Sequence, residues 1–219
     1  MREPRGLVDP TALAAVQRAS LSAAFCSKLR ATLEDGEAAV QALIRTYDTT
    51  IADHHLTVSR LALQIAKRLG LTQDTARGIE LACSIHDIGE IGVNGTDGGA
   101  PRGPPRDPSA IHPLAGASIV DGIRFPWPIA TMIVQHHEHM DGSGYPDGTS
   151  GRFLLPGSRV LAVADVVATR SERVQTLEQA LDQLGAGRGT LYDADVVDAC
   201  LQLFPSALQR VRRRSSVAS

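Results

Sequence analysis

The residues best suited to chemistry in this chain are its seven histidines, all of which fall between His54 and His139. His86-Asp87 sets an imidazole beside a carboxylate at the end of an apolar segment in which Ile79, Cys83 and His86 share a helical face. Such a pair suits a metal ion, because one side chain supplies nitrogen and its neighbour an oxygen that can bridge. His136-His137 closes another apolar segment, after Ile129, Met132 and Ile133. His54 lies on a further apolar face, between Ile51 and Val58. Asp165 sits in Val-Leu-Ala-Val-Ala-Asp-Val-Val, where a carboxylate is costly unless it is paired or metal-bound. Taken singly, each reads equally as a hydrogen-bonded core group. Separate apolar helices that each carry His or Asp point jointly to one shared site.

The elements that must position these groups are helical. Leu21, Phe25, Leu29 and Leu33 recur every four residues, so residues 11 to 45 read as helix with a break at Asp35-Gly36, followed by a stretch through Val40, Leu43, Ile44 and Tyr47. Helical periodicity over 51–69 ends at Gly70, and a helix over 73–88 stops at Gly89. Residues 94–108 are rich in Gly and Pro and read as loop. Short helices are expected at 114–123 and 128–140, then a glycine-rich turn at 141–151, then helices at 157–170, 177–184 and 194–204. Period-2 alternation is nearly absent, so the class is all-α.

Composition narrows the function classes. The 219 residues are 43% hydrophobic and 21% charged, with 22 basic against 24 acidic side chains and a net charge of −2. This excludes general disorder and supplies no basic field for DNA. No apolar run approaches the ~20 residues of a membrane helix, and the opening Met-Arg-Glu-Pro-Arg-Gly lacks a signal-peptide core. Cys26, Cys83 and Cys200 are far apart and form no Cys-x-x-Cys pair, which fits core thiols in a reducing, cytoplasmic compartment.

Six blocks taken in order resemble the HD-GYP family, a bacterial subgroup of the HD phosphohydrolases. They are His54-x-x-x-Val58, His86-Asp87-Ile88-Gly89, His112-Pro113, His136-His137-Glu138, Asp141-Gly142-Ser143-Gly144-Tyr145-Pro146-Asp147-Gly148 and Val163-Ala164-Asp165-Val166. The resemblance spans about residues 49–204 and implies an HD-domain helical bundle (49–205), with an N-terminal helical extension (1–48) and a basic, frayed tail (206–219). It implies hydrolysis of cyclic di-GMP to pGpG and GMP. It also implies the metal ligands His54, His86, Asp87, His112, His136, His137 and Asp165. In the family pattern His54, His86, Asp87 and Asp165 surround one metal. His112, His136 and His137 complete a second, with Asp87 bridging and acting together with a metal-bridging hydroxide. Relatives with a third metal use a Glu one turn before the first histidine; Thr50 stands there in this chain, so the expectation is two ions. A nitrogen and carboxylate shell without thiolate favours Fe or Mn over structural Zn. Two such cations suit in-line displacement at phosphorus.

The chain departs from the family pattern in three places. Glu90 replaces a lysine that faces the substrate phosphate in the family. A unit charge pair at ~4 Å and an effective dielectric of ~20 is worth about 4 kcal/mol, so the swap bears directly on affinity and rate. Pro101, Pro104, Pro105 and Pro108 prevent the usual helix before His112. The segment after Asp165 is shortened, leaving Arg173 as the expected phosphate contact. Gly142, Gly144 and Gly148 permit positive φ around a rigid Tyr145-Pro146 tip, and His55 and His139 are expected at the surface or behind the ligands. The main reading is therefore a cyclic di-GMP phosphodiesterase. A second is a regulatory module that keeps the metals without turnover, and a weaker third is a di-iron oxygenase. Expected partners are the cyclic dinucleotide, a signalling protein at the Gly-Tyr-Pro loop and a second copy of the chain, with neither DNA nor membrane.

Overall fold

The computed structural model describes residues 44–93, 111–168, 176–206 and 209, apart from residues 47 and 122. Its elements run α1 (Thr49–Arg68), α2 (Gln73–Cys83), α3 (Ile88–Val93), α4 (His112–Val120), α5 (Ile129–Gln135), a 3-10 turn (Gly151–Phe153), α6 (Pro156–Ala168), α7 (Leu177–Ala186) and α8 (Ala194–Leu201). Among the described residues there is no strand, only an isolated bridge between Arg188 and Tyr192. None of their helices is long and apolar enough to cross a membrane.

Local chemistry sets the helix ends. The Asp48 carboxylate accepts the Thr50 and Ile51 N–H groups at 2.8 and 3.1 Å, satisfying two orphan donors of α1. Lys67 and Arg68 occupy its last turn, where cations suit the helix dipole, and Gly70 takes φ +70 beyond it. Thr72 caps α2, Thr176 and Gln179 form a capping box on α7, and Asp193 caps α8. The core centres on α6, whose Val160, Leu161, Val163, Ala164 and Val167 are all buried and which packs against α1, α2, α5, α7 and α8. Asp165 is thus carried into the middle of the bundle.

The expected helices over 51–69, 177–184 and 194–204 are present with ends shifted by up to three residues, and the one over 157–170 is helical throughout its described part, Pro156–Ala168. The expected helix over 73–88 is instead two helices. Beyond Cys83 the hydrogen bonds tighten, with Ile85 N–H to Ala82 and Ile88 N–H to Ile85, so residues 84–87 form a turn and Gly89 lies inside α3. The helix expected at 114–123 begins earlier, at His112, with Pro113 in the first turn where its missing N–H costs nothing. The helix expected at 128–140 ends at Gln135, because the His137 carbonyl is taken by the Tyr145 N–H. Apart from Ile44 and Arg45, which are helical, the N-terminal helices expected over 11–47 lie outside the described residues. So do the 94–108 loop, Arg173 and nearly all of the tail.

Candidate metal centre

Three of the elements and two connecting turns deliver side chains to one point. His54 comes from the middle of α1, His86 and Asp87 from the turn after α2, His112 from the start of α4, His136 and His137 from the end of α5, and Asp165 from α6. The Asp87 carboxylate divides this group in two. Its Oδ2 lies 3.0 Å from His86 Nε2 and 3.4 Å from His54 Nε2, while Oδ1 lies 3.1 Å from His112 Nε2 and 3.4 Å from His136 Nε2. Asp165 Oδ1 closes the first set at 3.1 Å from His54 Nε2. His137 joins the second set, its ligand atom lying within 4.8 Å of those of Asp87, His112 and His136.

This arrangement suits cations. His86 Nδ1 faces the Cys83 carbonyl at 2.9 Å and His136 Nδ1 faces the Ile133 carbonyl at 2.5 Å, so each Nδ1 donates and each Nε2 presents a lone pair to the centre. Yet His54 and His86 Nε2 stand 3.3 Å apart, and His112 and His136 Nε2 3.1 Å apart. The lone pair on His86 and on His136 therefore faces the Nε2 of a second histidine, a gap that a shared proton or a metal ion can fill. The donors are nitrogen and carboxylate oxygen without sulfur, a set that accepts Fe, Mn or Zn. The residues present therefore fit metal ions.

With protons as the only cations, the two sets behave oppositely. Burial opposes charge on His54, but its hydrogen bonds to Asp165 and Asp87 outweigh this and raise it to about 9. His86 is also raised against burial, by Asp87 and Asp165, and both carboxylates are held well below their usual range. His136 and His137 are lowered, His137 to about 2, by burial and by their charged neighbours. The Asp87 and Asp165 side chains keep 14% and 11% of their surface while His86 keeps none, so the centre opens on its carboxylate side.

Two glycines bring the pieces this close. A Cβ on Gly89 would lie 2.1 Å from the His112 carbonyl oxygen and 2.7 Å from the Gly116 nitrogen, so only glycine lets α3 cross the start of α4 and deliver His112 to Asp87. A Cβ on Gly144 would lie 2.4 Å from the His137 carbonyl oxygen. Gly142 and Gly148 take positive φ, but Gly144 does not; its role is this close approach. The loop then lays Tyr145 on His137, with ring centroids 4.8 Å apart and planes at 29°. The Tyr145-Pro146 bond is cis.

Two residues outside the ligand sets support the centre. Glu138 is buried and its Oε1 accepts the Asp147 N–H at 2.7 Å, tying the end of α5 to the Gly-Tyr-Pro loop; burial raises its pKa. Of the two places expected for His55, it takes the one behind the ligands: it is wholly buried, and burial drives it well below the usual histidine range. Its signal was present, since Ala62 and Ala66 follow it at helical spacing on an apolar face. His139 lies outside the centre, against Ser143. Glu90 opens α3 in a half-buried position, and Thr50 is exposed at the start of α1.

An all-α bundle with an interior His/Asp centre defines the class, and a family model described as HD domain matches residues 36–196. The chain belongs to that family. The cyclic di-GMP phosphodiesterase response regulator RpfG of Xanthomonas campestris pv. campestris is 36% identical over 155 residues, 66% of this chain and 41% of that protein. The cyclic di-GMP phosphodiesterase of Thermotoga maritima is 32% identical over 172 residues, 73% of this chain and 46% of that protein. The chain thus spans less than half the length of these curated relatives. The solved structure of Bd1817, an HDG"Y"P protein from Bdellovibrio bacteriovorus, matches with a TM-score of 0.60 at 20% identity, over 89% of this chain and 68% of that one, a likeness of fold.

Proposed function

We propose that this chain is a metal-dependent phosphodiesterase that opens cyclic di-GMP to pGpG and carries it onward to GMP. The observation that carries the reading is the division of the Asp87 carboxylate, each oxygen facing its own set of histidines. In this reading His54, His86 and Asp165 hold one divalent ion and His112, His136 and His137 a second, with Asp87 shared. Iron or manganese best matches the donors. When bound, the ions supply Lewis acidity that ionises water near neutral pH and offsets charge on the phosphodiester.

The chain's own residues do the rest. Asp87 and Asp165 hold the two ligand sets in register and leave the centre accessible on their side. Nδ1 of His86 and of His136, each bound to a backbone carbonyl, orients its ring so that Nε2 points inward. Tyr145, stacked on His137, closes one flank beside the Gly-Tyr-Pro loop, the surface proposed for a signalling partner. Arg173 is proposed as a phosphate contact and Glu90 as a nearby negative charge that slows turnover. A cytoplasmic location is proposed with this substrate.

Glu90 also favours a second reading, a regulatory module that binds metal and nucleotide without turnover. The test is to incubate the Fe- or Mn-loaded chain with cyclic di-GMP, and in parallel with the mixed guanine–adenine cyclic dinucleotide, and to follow products by chromatography. The expected outcome is slow formation of pGpG and GMP by the wild type, faster formation by Glu90→Lys and none by His86→Ala. Absence of product from both wild type and Glu90→Lys at full metal loading contradicts the enzyme and supports the module.

A further inference from the structure

His55 follows a proposed ligand, His54, yet belongs to neither metal-ligand set. Its ring is fully buried, with centroids 4.9 Å from His86 and 6.1 Å from His54, so it packs behind both ligand rings. Its Nε2 accepts the backbone N–H of Asp87 at 3.3 Å. A neutral ring that accepts at Nε2 carries its proton on Nδ1, and that buried atom has no hydrogen-bond partner. A position that only filled space here would be better occupied by an aliphatic side chain such as Val58 or Ala62 on the same helix. The imidazole spends its one satisfied polar contact on the Asp87 N–H.

That N–H lies in the turn of residues 84–87, between the end of α2 and the first residue of α3. The turn decides how the Asp87 carboxylate faces, and the two oxygens serve different histidine sets. A rotation of the Asp87 backbone would take one oxygen off its set. We infer that His55 is a positioning residue for the centre, which by accepting the Asp87 N–H holds the carboxylate in its bridging orientation. The inference rests on the dinuclear reading of the site proposed above.

Three forms of the full chain test it: wild type, His55→Leu and His55→Gln. Leu keeps the volume and removes the acceptor, whereas the Gln side-chain oxygen can accept the same N–H. Each is prepared metal-free, melted by circular dichroism, and titrated with Mn2+ by calorimetry and electron paramagnetic resonance. The expected result is an affinity loss of about 10- to 100-fold in His55→Leu, with the spin-coupled signal of a bridged pair giving way to isolated Mn2+. His55→Gln should stay within a few-fold of wild type and keep the coupled signal, while metal-free His55→Leu melts no lower than His55→Gln. Wild-type affinity and coupling in His55→Leu would overturn the inference, as would a His55→Gln that falls as far as His55→Leu. Loss of folding in both variants would assign His55 to core packing and overturn it too. A wild type that takes up neither Mn2+ nor, under anaerobic conditions, Fe2+ would instead remove the metal reading itself, and the inference with it.

Discussion

Asp87 is the residue on which the centre depends, since each of its oxygens is the contact of a different histidine set. Asp87→Ala should therefore lose metal from both sets, whereas His112→Ala should empty mainly its own. Metal analysis after dialysis checks this, and an Asp87→Ala protein with wild-type content would contradict the shared role. Protonation adds a second expectation. His54 is raised from 6.5 to about 9, so in the metal-free protein its contribution to stability is complete below pH about 6.5 and is lost as pH rises through about 9. His137 is lowered from 6.5 to about 2, so its contribution is present above pH about 6.5 and is lost as pH falls toward 2. Because a metal must displace the His54 proton, Mn2+ affinity should rise from pH about 6.5 to about 9 with proton release. Calorimetry in buffers of different ionisation enthalpy measures that release; affinity that is flat over this range would contradict the assignment. At this scale the sequence was legible where a polar group interrupts an apolar helix, as at His54, His86-Asp87, His136-His137 and Asp165. His112 has no such apolar run before it and came only from the family pattern. The burial of His55 could be read from Ala62 and Ala66 on the same face, but its bond with the Asp87 N–H joins residues far apart in sequence and left no local signal.

At the scale of elements, two glycine crossings bring the donors together, one between α3 and α4 and one between the Gly-Tyr-Pro loop and the end of α5. Gly89→Ala and Gly144→Ala should each destabilise by about 2 to 3 kcal/mol, the range of overpacking against backbone that cannot yield. Denaturant melts measure this, and a change within error at either position would show that the backbone yields there. Gly70→Ala is the useful contrast, because no atom lies within 4 Å of its added Cβ and only the positive φ is strained. Glu138→Ala should loosen the loop without unfolding the bundle, visible as faster amide exchange at Asp147. Unchanged exchange there would argue that other contacts hold the loop. Most helices could be read from apolar spacing, but the turn of residues 84–87 could not. Ile79, Cys83 and His86 keep helical spacing through it, and only the contact of Gly89 with α4, distant in sequence, reveals the break. Likewise, the early end of α5 follows from the Tyr145 N–H taking the His137 carbonyl, which local periodicity cannot register.

On the scale of the whole molecule, the bundle buries α6 at its centre and so places Asp165 where four other segments converge. That convergence separates this chain from one with a lone His-Asp pair, and it accords with the match of the HD domain model over residues 36–196. The central claim is that the converging side chains hold two metal ions on either side of Asp87. Anomalous scattering from crystals of the Mn- or Fe-loaded protein, recorded at the metal edge, tests it most directly. Two strong peaks are expected, one bounded by His54, His86 and Asp165 and one by His112, His136 and His137, with the Asp87 carboxylate between them. A single peak, or peaks on other side chains in fully loaded protein, would contradict it.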